Sequence, residues 1–279
     1  MTDRLRALLP ALVVALIGVA TVVGLRVDGP AVTTSDTSHA AALHATLAEL
    51  ARPRVLVGFD PDLGTYAEIR PAARAALAQL VRGGASLAFA SFTAEGRALS
   101  LAEMDRLRRG GVEEGRVLDL RFHAGAEAGL VRSVSDILPD GAAGALADAL
   151  RDDGGGIGAF DLVLVVGGTE LGPRSWVEQV ATRLPELRLA AIVPTVLQPE
   201  AIPYRVTGQL DGLVAGVREA SAYVAAVRDD PTAVVAREAE RVSDLPPSWL
   251  PLVVGIGIMI VLLADAVASR WRDGSPVAR

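Results

Sequence analysis

Apolar and polar positions along this chain fall into three kinds of stretch. Residues 7–25 form an apolar run without a charge, and residues 249–268 form a second whose only ionisable side chain is Asp265. Twenty residues at helical rise span about 30 Å, the thickness of a bilayer's hydrocarbon core, so both runs predict transmembrane helices. Between them, short unbroken apolar runs alternate with segments of helical period. The runs 54–60, 85–91, 116–122, 160–166 and 189–193 have strand length and suit parallel strands buried on both faces. Helical spacing follows the first run, with Pro71 placed as a first-turn proline and Gly83-Gly84 as the stop. Ser100 reads as the cap of a helix to Arg109, with Glu103 in the capping-box position. One or two helices follow between 125 and 150, and Pro173 opens another. This alternation predicts an α/β fold, a doubly wound, mostly parallel five-stranded sheet, flanked by an N-terminal and a C-terminal transmembrane helix.

The late segment 207–227 is the most patterned. Gly208, Gly212 and Gly216 fall four apart, which on a helix makes one face free of side chains. That face is expected to pack on the domain's own sheet or to receive a partner helix or second copy. The organisation expected is a tail (1–6), a span (7–25), a linker and membrane-proximal helix (26–50), an α/β domain (51–230), a connecting helix and linker (231–248), a span (249–268) and a tail (269–279). Arg4 and Arg6 before the first span, and Arg270, Arg272 and Arg279 after the second, place both tails in the cytoplasm and the domain outside it. No small-x-small cleavage site follows residue 23, which favours an uncleaved anchor over a cleaved signal peptide.

Composition removes several chemistries. The net charge of -6 and the pI near 5.2 offer no surface for nucleic acid. Every basic side chain is Arg; Lys and Asn do not occur, and the chain has no Cys. A Schiff base, a Walker lysine, a thiolate nucleophile, a disulfide and a zinc–thiolate site are therefore all excluded.

Ligands of open parallel sheets bind beyond the carboxyl ends of the strands. There the sequence offers Asp60, Asp62, His123 and Glu170, a set of oxygens and one imidazole that suits a divalent metal or hydrolytic chemistry if the four converge. Gly167, Gly168 and Thr169 follow a strand and precede Pro173, so their amides are candidates for holding an anion. The glycine run 154–158 precedes a strand instead, and reads as a connection. Ser91, Ser133, Ser135 and Ser175 accompany His123, but none has a nucleophile-elbow context. His39 and His44 read as surface residues. Phe59-Asp-Pro-Asp62 resembles the Asp-x-Asp opening of haloacid-dehalogenase-type phosphatases, yet the cation those enzymes need is missing, and Gly64 stands where their Thr would.

The segment from Phe59 to Pro71, the Gly208–Tyr223 stretch and the two apolar runs together resemble an uncharacterised group of bacterial two-span membrane proteins. The resemblance implies a Rossmann-like domain held to the bilayer and carries no activity with it. The functional expectation is a binding, sensing or scaffold component of an envelope complex without a cofactor. Its partners would be the lipid bilayer and other membrane proteins. The alternative is a metal-dependent envelope hydrolase.

Overall fold

The computed structural model describes residues 38–168 and 171–229. Both apolar runs and the stretch 231–248 lie outside them. Among the described residues no helix is long and apolar enough to cross a membrane. In chain order the elements are α1 (Ser38–Ala48), β1 (Arg54–Asp60), α2 (Leu63–Arg82), β2 (Ser86–Ser91), α3 (Ala94–Arg109), β3 (Val117–Phe122) and α4 (Ala126–Ser133). Then come α5 (Ala145–Asp152), β4 (Leu162–Gly167), α6 (Pro173–Trp176, continued by a π turn, Val177–Ala181), β5 (Arg188–Val193), α7 (Gln198–Val206), β6 (Gly212–Ala215) and α8 (Gly216–Asp229).

All six strands are parallel, in the order β3-β2-β1-β4-β5-β6. Val55 of β1 lies opposite Leu87 on one side and Leu162 on the other, so β1 is central. Its odd positions Val55, Val57 and Phe59 enter a core with α1, α2, α3 and α8. Leu56 enters the opposite core with α4, α5, α6 and α7. Helices on both faces explain why β1, β4 and β5 read as continuous apolar runs rather than alternating ones, whereas the edge strand β3, expected to be buried on both faces, carries Asp119 and Arg121 and is partly exposed. The strand order and the two helical layers are those of a Rossmann-like doubly wound domain. Gly58 is set by close approach: a Cβ there would lie 2.3 Å from Cζ2 of the fully buried Trp176.

The sheet has six strands where the apolar runs predict five, and the glycine helix expected over 207–227 does not form. Gly208 sits in a turn at φ +79°, Gly212 begins β6, and Gly216 begins α8 at φ +76°. Two of these glycines serve left-handed backbone, which only glycine adopts cheaply. The third makes room, since a Cβ on Gly212 would meet Leu43 Cδ1 at 2.7 Å and Leu43 Cα at 3.0 Å. The fourfold spacing is therefore not a helical face. A four-residue strand, Gly-Leu-Val-Ala, is too short to declare itself by pattern.

Other boundaries move for identifiable reasons. α2 begins eight residues before Pro71 because Asp62 caps it; Pro71 lies buried inside the helix. Thr93, not Ser100, caps α3, accepting from Gly96 N. Ser100 lies within the helix, and Glu103 is 1% exposed in an ionic cluster rather than a capping box. The helix expected to lead away from the membrane, α1, is a packed part of the domain, with Leu43 and Leu47 buried against β6 and α8. Gln79 of α2 ties the first and last described helices together. Its Nε2 donates to His44 O (2.9 Å), and it accepts from the buried Tyr223 hydroxyl (2.6 Å). His44 is thus half-buried, its ring edge-on to Tyr223.

Candidate functional site: the carboxyl edge of the sheet

The strand order reverses between β1 and β4, the position at which such sheets take their ligands. Here that position is closed by the chain itself. Asp62 leaves β1 in extended conformation; its Oδ1 accepts from Thr65 N (2.9 Å) and its Oδ2 from Thr65 Oγ1 (2.6 Å). The Thr65 hydroxyl holds the Asp62 carboxyl below the usual range against the effect of burial. Gly168, at the end of β4, donates its N–H to Asp60 O (2.9 Å). A Cβ on Gly168 would lie 2.8 Å from Asp62 N and 2.9 Å from Asp62 Oδ2, so the β4 loop is seated directly on the β1 turn.

Asp60 is 3% exposed and faces the start of α3. Its Oδ1 accepts from Phe92 N (2.7 Å), Thr93 N (2.8 Å) and Thr93 Oγ1 (3.0 Å). The same pattern recurs around the edge. Glu95, in the first turn of α3, accepts from Leu63 N at the start of α2 (2.8 Å). Glu68 accepts from Thr195 N (2.8 Å) and from its hydroxyl, holding the turn that opens α7. Glu127 accepts from Ser175 Oγ (2.7 Å), joining α4 to α6. Glu219 reaches back to Ala215 N (2.7 Å) at the start of α8. Helix N-termini carry orphan N–H groups and a positive dipole end, and are where α/β domains bind phosphate. At the starts of α2, α3, α7 and α8 carboxylates of this chain accept from N–H groups at such positions, while at α6 Glu127 meets a hydroxyl.

His123 follows β3, flanked by left-handed backbone at Arg121 within β3 (φ +68°), at Gly125 before α4 (φ +102°) and at Ala126, its first residue (φ +47°). Its Nε2 lies 3.0 Å from Leu120 O, and since a carbonyl only accepts, this nitrogen carries the proton. Nδ1 then faces Ser133 Oγ at 3.3 Å. Ser133 is 1% exposed and donates to Gly129 O (3.0 Å), so it is not an available nucleophile. Burial lowers the His123 pKa and the nearby Arg132 adds to this, opposed by the Leu120 carbonyl and Asp136.

Asp60 and Asp62 are thus engaged with α3 and α2, while His123 is engaged through Nε2 with Leu120 O. Among the described residues no three His, Asp or Glu side chains gather as a metal would require. Glu170 and Thr169 lie outside the described residues. Of the anion-loop candidates, Gly168 spends its N–H on Asp60 O and faces a carboxylate. The roles of Glu68, Glu95, Glu127 and Glu219 did not emerge from motif reading. Their common signal was an acidic residue within the first two turns of a helix that follows a strand. Neither protein-family models, curated proteins nor solved structures show any match to this chain.

Proposed function

We propose that the chain is a membrane-anchored binding, sensing or scaffold component of an envelope complex, and not a nucleotide- or phosphate-dependent enzyme. One observation carries the reading. The amides that a Rossmann-like sheet offers to a dinucleotide or phosphate are occupied by Asp60, Asp62, Glu68 and Glu95. A phosphate entering there would meet a carboxylate in place of a free N–H. The apolar runs 7–25 and 249–268 supply the anchors. The packing of α1 against α8 favours a double tether, because the chain enters and leaves the domain through neighbouring helices. The hydrolase alternative lacks an observation in its favour, since Asp60 and Asp62 already serve helix starts.

The test is calorimetric titration of the whole chain in detergent with NAD, ATP and inorganic phosphate. No binding heat is expected. Saturable binding of any of them tighter than about 1 mM would overturn the reading.

A further inference from the structure

An Asp carboxyl is open to attack by the backbone nitrogen of the next residue, and a following Gly, which puts no side chain in the way, favours the approach. Asp-Gly pairs begin at residues 28, 140, 153, 211 and 273, the first and last outside the described residues. The chain holds no Asn, the other side chain that closes the same ring.

The structure separates the three described pairs. Asp211 accepts from Leu189 N through Oδ2 (2.9 Å), and Gly212 is buried in β6 opposite Ala190. Asp153 is paired with Arg54, and Gly154 donates its N–H to Arg151 O (3.1 Å). Asp140 and Gly141 are both exposed at the tip of the link between α4 and α5. Ala142 N donates to Pro139 O (3.0 Å) around Gly141 at φ +74°, while Asp140 keeps a negative φ. That is a type II turn, whose closing bond leaves the N–H of the central peptide unused. Neither the Asp140 carboxyl nor Gly141 N has a partner among the described residues.

We infer that Asp140 is a modification site, converting to isoaspartate through a succinimide closed by Gly141 N. The nitrogen gives up its proton and bonds to Asp140 Cγ, and the carboxyl hydroxyl leaves with a proton as water. Water then adds back to the ring. Opening at Cγ restores aspartate; opening at the former backbone carbonyl leaves the chain running through the side chain, with a free α-carboxylate. Composition is unchanged, and water is the only co-reactant. The main chain gains one carbon inside the turn. Its ends stay held, by Ile137 N on Gly155 O (2.9 Å) and by Arg151 Nη2 on Ala142 O (2.7 Å).

Trypsin places the three pairs in separate peptides, 133–151, 152–174 and 206–218, because every cleavage site is an Arg. The whole chain in detergent is aged at mildly acid pH in heavy-oxygen water and then digested. Peptide 133–151 should take up heavy oxygen and yield an isomer of altered retention several-fold faster than the other two. Asp140→Glu should abolish that product, which separates it from Asp136 and Asp148 in the same peptide. Ageing in guanidinium chloride should bring the three rates together. Equal rates in the folded chain, a product that survives Asp140→Glu, or an undiminished lead for 133–151 in guanidinium chloride would each overturn the inference.

Discussion

Glu103 is almost fully buried between α2 and α3, with Arg74 and the Tyr66 hydroxyl on one oxygen and Arg106 on the other. Burial works against its charge, and the hydrogen bonds from the two guanidiniums outweigh it, so its pKa lies below the ordinary 4.5. The stability it contributes is present above the unfolded carboxylate's pKa and is lost as pH falls through the lower folded value. Glu103→Ala leaves two guanidiniums facing each other without their anion. It should cost about 3–5 kcal/mol in urea unfolding of the whole chain, the range for breaking a buried pair. His123 acts earlier on the acid limb. Its folded pKa lies below 6.5, chiefly through burial, so the unfolded chain takes up the proton first and stability drops as pH falls below 6.5. His123→Phe should flatten the melting temperature between pH 7 and pH 5.5; an unchanged slope would show that this imidazole does not set it.

At the scale of elements, the junction of α1 with β6 depends on one missing side chain. Leu43 occupies the space that a Cβ on Gly212 would take. Gly212→Leu should therefore displace α1 and lower stability by more than 1 kcal/mol, in the range of overpacked cores. Limited proteolysis reads this as new cleavage within Ser38–Ala48. If the variant melts like the parent and resists protease, α1 is not seated as described. Five of the six strands were legible because each is a largely apolar run bounded by turn residues; the four-residue β6 was not. Helix starts were less so. Pro71 and Ser100 carry real capping signals, yet Asp62 and Thr93 begin their helices earlier. The first acceptor to reach an orphan N–H decides where a helix begins, and several residues in one stretch can do so.

For the whole molecule, the anchoring proposed above has its own measurement. The chain should sediment with membranes and enter solution only with detergent, and protease added to intact cells should cut within 51–230. Recovery of the chain in the aqueous fraction would remove the anchoring. Protection of the domain with the chain still in membranes would reverse only its orientation. The candidate site was legible in part. Asp60, Asp62 and His123 do lie at the carboxyl ends of strands, as parallel-strand logic placed them. Their engagement could not be read, because a carboxylate that caps a helix and one that awaits a ligand have the same sequence.

The sequence by itself determined the layer architecture. Apolar runs of strand length alternating with helical spacing leave a parallel sheet covered on both faces as the way to bury them. Absent residue types also fixed which chemistries are closed to the chain. Tertiary structure decided the sixth strand and the purpose of Gly208, Gly212 and Gly216. Each depends on which distant segment a residue meets. Leu43 against Gly212 and Thr195 against Gly216 are neighbours in space that local periodicity does not encode.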